Sequence, residues 1–248
     1  MTVTTNTMRF FTDTGVEVPA VTAEQMREGD RLASEATGPN LFQMMENAGR
    51  NLALLAIALL GEQRTASRIV VLAGSGGNGG GGICAARHLA NRDINVRLCL
   101  AEPDRLEEVP AFQRTIFRST QGREIDDASL SAEPVDLILD GLIGYGLRSA
   151  PRSPVADLIR WSNGTGMPIL ALDVPSGVDA TTGHRPGDCI QPHWTMTLAL
   201  PKTGLLPERT GQLFLADIGI PEQTYRRLGW SYVNPFAKGF WVPLICRS

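Results

Sequence analysis

The sequence predicts an α/β protein with a mainly parallel central sheet that is covered by helices on both faces. Short runs of aliphatic and β-branched residues alternate along the chain with stretches of helical spacing. Such alternation indicates β-α-β crossovers, which place parallel strands side by side between layers of helices. No internal repeat or low-complexity linker interrupts the 248 residues. We therefore expect a flexible N-terminal arm at residues 1–18 and a single domain at residues 19–248 that ends in an aromatic tail.

The predicted elements follow one another in a regular order. Thr22 and Gln25 have the pattern of a capping box, which starts a first helix. The spacing of apolar residues predicts a second helix over about residues 39–60. After it, the chain order is predicted as strand 68–73, helix 82–91, strand 95–100, helix 107–120, strand 135–140, helix 154–162, strand 168–173 and two strands at 194–200 and 212–216.

The composition excludes several classes of protein. Lysine and arginine total 23 against 26 acidic residues, a net charge of −3, so nothing indicates binding to nucleic acid. The longest apolar run, residues 52–60, is shorter than the roughly 20 residues that span a bilayer. Residues 1–18 lack the apolar core of a signal peptide. Cys84 and Cys99 fall within apolar patterns as core thiols, so we expect a cytoplasmic protein that does not bind membranes.

A glycine-rich turn between strand 68–73 and the following helix suggests a ligand site. Gly74, Gly76 and Gly79 match the dinucleotide pattern GxGxxG in its strand-turn-helix context. Glycines let a ligand approach the backbone, and free N–H groups at a helix start favour an anion. Glu102 ends the next strand, where a ribose-binding acid belongs, so an NAD(P)-dependent oxidoreductase is one interpretation. A P-loop NTPase is not expected, because no Walker lysine follows the glycines.

Two aspartates, Asp140 and Asp173, end predicted buried strands. A carboxylate there is costly unless a metal ion, a substrate hydroxyl or a helix N-terminus compensates its desolvation, and an Asx turn is the structural alternative. Because the carboxyl ends of parallel strands share one edge, both aspartates and the glycine turn are predicted to lie along one rim. The three histidines are scattered, so a Ser-His-Asp hydrolase built on Ser176 is not expected.

Several motifs in order resemble the YjeF N-terminal domain family over about residues 19–221. They are Met45-Glu-Asn-Ala-Gly-Arg, the glycine turn with Ala85-Ala-Arg-His-Leu, Asp140 with Gly144-Tyr-Gly-Leu, Asp173-Val-Pro-Ser-Gly-Val-Asp, Pro201-Lys-Thr-Gly and Asp217-Ile-Gly-Ile-Pro. The resemblance implies a three-layer α/β/α Rossmann-like sandwich and a homodimer. It also implies an NAD(P)H-hydrate epimerase, which interconverts the R and S forms of NADHX and NADPHX in metabolite repair.

The family motifs also imply the roles of individual residues. One potassium ion per subunit would be held by Asn78, Asp140 and Ser176, whose oxygen atoms suit a hard cation. Asp173 would be the catalytic residue, acting as acid and base in turn. The small-molecule nucleotide is itself the substrate, so no redox cofactor is expected. It would contact Gly77, Asn78, Gly79, Gly80, Gly81, Gly144, Tyr145, Gly146, Leu147, Arg148 and Asp173.

The glycine turn departs from the family pattern Asn-Asn-Gly-Gly-Asp-Gly, since it has Gly77 in place of the first asparagine and Gly81 in place of the aspartate. Two alternatives to the epimerase therefore stay open. One is a non-catalytic nucleotide- or protein-binding module of the same family, as in an mRNA-decapping protein, and the other is the oxidoreductase. The aromatic tail at residues 230–241 is expected to pack on the core or across a dimer, with a partner-binding patch as the alternative.

Overall fold

The computed structural model describes residues 8–236 and 239–247, in which strands and helices alternate. The strands are β1 (Arg9–Thr12), β2 (Glu17–Val18), β3 (Arg68–Ala73), β4 (Asn95–Leu100), β5 (Arg123–Ile125), β6 (Leu137–Gly141), β7 (Ile169–Leu172), β8 (Trp194–Leu198), β9 (Gln212–Ala216) and β10 (Trp241–Arg247). The α-helices are α1 (Ala23–Leu32), α2 (Leu41–Leu60), α3 (Gly77–Ala90), α4 (Glu108–Phe117), α5 (Val155–Gly164), α6 (Pro207–Thr210) and α7 (Glu222–Arg227).

These strands form one sheet in the order β2-β1-β10-β9-β8-β7-β6-β3-β4-β5. Strands β3 to β9 pair in parallel, and β10, β1 and β2 extend one edge in antiparallel fashion. Alternate residues of β3 divide between two cores. Ile69 and Val71 pack in the core that includes helices α1 to α4, and Val70 packs in the core that includes α5. The predicted α/β sandwich with a mainly parallel central sheet is confirmed.

Capping boxes determine where the first two helices begin. At α1, the Thr22 side chain accepts from the amide of Gln25, whose side chain accepts from the amide of Thr22. Asn40 and Gln43 make the same reciprocal pair at α2. Each box satisfies two of the N–H groups that a helix start leaves free. The capping box predicted at Thr22 is therefore present.

The N-terminal segment differs from the flexible arm predicted at residues 1–18. Residues 1–7 lie outside the described part of the chain. Strands β1 and β2, however, form a hairpin, and β1 pairs with β10 at the edge of the sheet. Phe10 is fully buried in the main core and Val18 is 1% exposed. These buried positions are hard to recognise in the polar sequence of this segment, because such strands bury only alternate residues.

The aromatic tail packs on the body of the protein. Tyr232 lies beside Tyr225 with ring centroids 4.6 Å apart, and Trp230 stacks on Tyr225 at 6.2 Å. Trp241, the first residue of β10, meets Phe214 edge-on at 5.4 Å. These contacts agree with the expectation of packing on the core.

Docking of β1 predicts a large difference between two neighbouring phenylalanines. Phe10→Ala should lower the free energy of unfolding by about 3–5 kcal/mol, because it empties a fully buried site. Phe11→Ala is the matched control at a partly exposed position of the same strand and should cost much less. Urea unfolding of both variants measures the difference. Equal, small losses would show that β1 does not contribute to the core.

Candidate functional site

The glycine-rich segment is a short turn followed directly by a helix. Residues 74–76 form the turn at the carboxyl end of β3, and α3 begins at Gly77 with Gly76 as its N-cap. The sequence predicts that this helix starts at Gly82, so the observed start is five residues earlier than predicted. Glycines have a low helix propensity, but packing of the helix against its neighbours overrides this preference.

Close packing explains why α3 begins with glycines. A Cβ atom on Gly79 would stand 1.9 Å from the carbonyl oxygen of Gly74. A Cβ on Gly81 would come within 2.8 Å of a leucine methyl group of β7, and one on Gly80 within 3.4 Å of a valine methyl group of α4. These three glycines of α3 are buried. They hold α3 against the sheet and α4, so the structure does not bring them to the surface where substrate contacts are predicted.

A cleft of about 720 Å³ opens at the carboxyl edge of β3, β6 and β7. These three strands are neighbours in the sheet and run in parallel. The glycine turn and the two strand ends that carry Asp140 and Asp173 therefore lie along one rim, as the sequence predicts. Of the predicted site residues, those that line this cleft are Gly77, Asn78, Gly144, Tyr145, Gly146, Arg148 and Asp173.

Asp140 and Ser176 form a fully buried hydrogen-bonded pair that does not line the cleft. The Ser176 hydroxyl donates to Asp140 Oδ1 at 2.6 Å, and the Ser176 amide donates to Asp140 Oδ2 at 2.9 Å. Burial raises the pKa of Asp140 to about 6, although these hydrogen bonds act in the opposite direction. Within the described residues, no basic side chain forms an ion pair with Asp140. Its carboxylate therefore lacks a positive neighbour.

Three of the predicted site residues hold the backbone of the loop after β6. Asp140 accepts a hydrogen bond of 3.1 Å from the amide two residues ahead, which is an Asx turn. Ser176 accepts one of 2.8 Å from the amide of Ile143. Asp173 accepts one of 3.0 Å from the amide of Tyr145. The structural alternative for Asp140 is thus present, and the same bonds shape the wall of the cleft.

Asp173 forms a buried ion pair with Lys202, a partner that the sequence does not predict. Asp173 follows β7 with a φ of +67°, in the left-handed region that non-glycine residues rarely adopt. Lys202 Nζ donates to Asp173 Oδ1 and also to the carbonyl oxygen of Leu198 at 2.9 Å. The two side chains are only 1% and 4% exposed. At this depth, complete hydrogen bonding is what offsets the desolvation of both charges.

Tyr145 connects this ion pair to helix α1. Its hydroxyl donates to Asp30 Oδ2 at 2.5 Å, and its ring centroid lies 5.8 Å from Lys202 Nζ and 5.9 Å from the Arg27 guanidinium carbon. Burial raises the pKa of Asp30, against the effects of the Tyr145 hydroxyl and the Lys202 charge. Asp30, Tyr145, Lys202 and Asp173 thus form one array beside a recess of about 50 Å³ that is lined by three methionines.

A second group of side chains that could bind a metal ion lies on α2 and α3, but an arginine side chain already contacts all of its members. Glu46, Cys84 and His88 bring their ligand atoms within 4.8 Å of one another. Arg87 Nη2 lies 2.6 Å from Glu46 Oε1 and within 3.4 Å of both Cys84 Sγ and His88 Nε2. Burial raises the pKa of the Cys84 thiol to about 12. The positively charged guanidinium thus occupies the position that a metal ion would take. Cys84 is a core thiol, as expected.

The geometry of this rim agrees with the sequence motifs that cross it. A family model described as "YjeF-related protein N-terminus" matches residues 41–204, which include the glycine turn, Asp140, Asp173 and Lys202. The chain belongs to this YjeF-related family. The resemblance found in the sequence is therefore confirmed over most of the chain.

Proteins similar to this YjeF-related chain include one named as an enzyme and one named for mRNA decapping. An "NAD(P)H-hydrate epimerase" of Dehalogenimonas lykanthroporepellens is 51% identical over 238 residues, which cover 96% of this chain and 97% of that protein. An "Enhancer of mRNA-decapping protein 3" of Macaca fascicularis is 31% identical over 247 residues, covering 95% of this chain and 46% of that protein.

The fold of the YjeF-related chain also resembles a solved structure. The crystal structure of yeast ynu0 superposes with a TM-score of 0.79 at 20% identity and covers 91% of this chain and all of that one. At this identity the likeness shows the fold alone. Among the described helices, none has the length and apolar character needed to cross a membrane.

The raised pKa of Asp140 predicts a pH dependence of stability. The folded protein holds a proton on Asp140 up to about pH 6, whereas the ordinary value is 3.8, so it binds more protons than the unfolded chain between these values. The free energy of unfolding should therefore fall by up to about 3 kcal/mol as pH rises across this interval in potassium-free buffer. Asp140→Asn should remove this fall.

Urea unfolding at several pH values, from about 4 to 7, measures this effect. Asp136→Asn is the matched control, since Asp136 is only partly buried and its pKa is lowered by its hydrogen bond with Arg68. That variant should keep the fall that Asp140 causes. Identical pH profiles for the wild type and Asp140→Asn would show that Asp140 is not the titrating group.

Proposed function

We propose that this protein is an NAD(P)H-hydrate epimerase that interconverts the R and S forms of NADHX and NADPHX. The observation that carries the proposal is the Asp173 carboxylate, which Lys202 and the Tyr145 amide hold at the floor of a cleft of about 720 Å³. The near-full-length relative named for this activity supports it. The protein is then an isomerase of metabolite repair that needs no redox cofactor.

Different parts of the cleft suit different parts of such a nucleotide. At one end, Asp173 lies beside Leu41 and Met45, which suit the partly apolar hydrated nicotinamide ring. In the middle, the turn and the first free N–H groups of α3 favour the diphosphate. Asn78 Nδ2 is buried there and finds no acceptor among the described residues, so it is available to a ligand.

Epimerisation at carbon 6 of the ring needs an acid and then a base at one place. The lone pair of the ring nitrogen expels the protonated hydroxyl as water, and water then adds to the opposite face while a base takes its proton. Because the reaction consumes and releases no net proton, a group that gives a proton and recovers it is sufficient. Asp173 lines the cleft and accepts a hydrogen bond from the buried Lys202 ammonium, so a proton can pass through this carboxylate in both directions.

We also propose that Asn78, Asp140 and Ser176 hold one potassium ion per subunit. Their amide, carboxylate and hydroxyl oxygens are the donors that a hard cation prefers. The buried Asp140 carboxylate has no positive partner among the described residues, so a cation would offset the cost of its burial. When bound, the ion would supply positive charge near an anionic substrate.

Other expectations stay predictions. The family resemblance predicts a homodimer, and the composition predicts a cytoplasmic location. A non-catalytic binding module is the second candidate function, and two observations favour it: Gly81 replaces the family aspartate, and an mRNA-decapping relative matches nearly the whole chain. The buried ion pair at Asp173 is an arrangement that binding alone does not require, which favours the enzyme.

Asp173→Asn should lower the rate of epimerisation by at least about 100-fold, because it removes the acid and base. The variant should also lose about 3–5 kcal/mol of stability, since it leaves the Lys202 charge buried without a partner. The double variant with Lys202→Met is the matched control, because it removes both charges and should recover stability without activity. R-to-S equilibration followed by chromatography, together with urea unfolding, measures both effects.

Wild-type kinetics in Asp173→Asn would remove Asp173 from the mechanism. A folded wild-type protein that equilibrates the two forms no faster than the spontaneous reaction would overturn the epimerase. Binding of the nucleotide without turnover would then favour the binding module.

Potassium should flatten the pH dependence that Asp140 causes. A bound cation favours the ionised carboxylate and lowers its pKa, so potassium chloride should stabilise the wild type most near neutral pH. Asp140→Asn should lose this response. The measurement is the unfolding midpoint in potassium chloride and in choline chloride at equal ionic strength. Equal midpoints for the wild type in both salts would contradict a potassium site.

A further inference from the structure

An acidic residue stands at the end of the cleft that the epimerase chemistry leaves unused. Glu102 lies two residues beyond β4, the strand that pairs in parallel with β3. Its Oε2 lies 3.5 Å from the Ser75 hydroxyl of the glycine turn, and both residues line the cleft. In doubly wound sheets, an acid in this position accepts hydrogen bonds from the ribose of a bound dinucleotide.

Beyond Glu102 the cleft continues into a second recess of about 500 Å³. Glu102 and Arg148 line both spaces, and Arg105 and Arg152 also line the recess. Arg105 Nη1 lies 3.2 Å from Glu102 Oε1. The exposed Arg105 is therefore placed to contact either Glu102 or a ligand next to it. Arginine is well suited to phosphate groups because its planar donors match their geometry.

The position of the reacting ring determines what lies at this end. If the hydrated nicotinamide ring meets Asp173 and the diphosphate lies at the turn, then the adenosine half must extend past Ser75 toward Glu102. This step rests on the proposed function. NADHX carries a 2′-hydroxyl on its adenosine ribose, whereas NADPHX carries a 2′-phosphate, so the two substrates differ only at this end.

We propose that Glu102 and Arg105 form the adenosine-ribose subsite and that they favour NADHX over NADPHX. The Glu102 carboxylate accepts a hydrogen bond from a 2′-hydroxyl and repels a 2′-phosphate. Arg105 offsets part of the Glu102 charge, which keeps NADPHX a slower substrate rather than an excluded one. In the sequence, the glycine motif and the acid that follows it suggest an oxidoreductase. In this proposal they instead select between NADHX and NADPHX.

A second carboxylate on the same wall provides the matched control. Glu107 also lines the cleft, and its Oε1 would lie 3.6 Å from a Cβ atom on Gly76. It therefore flanks the N-cap of α3, on the diphosphate side of the subsite. Glu107→Gln removes the same charge from the same cleft as Glu102→Gln, but a diphosphate is common to both substrates.

The test compares kcat/KM for NADPHX and NADHX in three variants. Glu102→Gln should raise the NADPHX/NADHX ratio by roughly tenfold, because the repulsion between like charges disappears. Arg105→Ala should lower the ratio several-fold, because the Glu102 charge is then uncompensated. Glu107→Gln should change kcat/KM for both substrates in parallel and leave the ratio unchanged.

Calorimetric binding of ADP-ribose and of its 2′-phosphate separates this proposal from the proposed function. If the wild type shows no turnover but Glu102→Gln improves binding of the 2′-phosphate over ADP-ribose, the subsite stands and the epimerase falls. If the wild type is an active epimerase and Glu102→Gln leaves the ratio within twofold, the subsite is wrong. A shift as large in Glu107→Gln, or no binding of either ligand by the wild type, would also overturn it.

Discussion

The buried ion pair of Asp173 and Lys202 constrains the geometry of the whole cleft. It joins the chain after β7 to the chain after β8, where Asp173 and Ala199 both have positive φ values of 67° and 62°. An isolated charge at this depth would cost several kcal/mol, so neither member is stable there without the other. Asp173 also accepts a hydrogen bond from the amide of Tyr145, and the Tyr145 hydroxyl donates one to Asp30. One pair of charges thus positions the loop wall, helix α1 and the candidate catalytic carboxylate.

The glycine run has a different physical role from the one its motif suggests. A ligand-binding turn needs only the first three residues, 74–76, whereas the buried glycines after it let α3 approach the sheet, α2 and α4 without clashes. Gly49 of α2 also permits this close packing, since a Cβ atom there would lie 2.5 Å from the carbonyl oxygen of Gly81. The replacement of the family aspartate by glycine therefore changes a packed interior position of the helix.

Fold and function rest on different grounds in this protein. The yeast structure shares the fold at 20% identity, and a sandwich of this kind supports many chemistries. The case for an epimerase comes from local chemistry: a cleft-lining carboxylate that is ion-paired with a buried lysine, next to a turn that suits a diphosphate. The acid beyond β4 adds a part of the cleft in which the two forms of the nucleotide would be told apart.

The sequence by itself determined the parallel sheet, the first capping box, the single rim and the family. These follow from periodicity, turn residues and motifs that are read within short windows. Only the tertiary structure decided that residues 9–12 complete the sheet, that α3 starts at Gly77, and that Lys202 and Asp30 belong to the site. The reason is distance along the chain. Lys202 is 29 residues from Asp173 and Asp30 is 115 from Tyr145, so these contacts exist only when separate strands and helices meet.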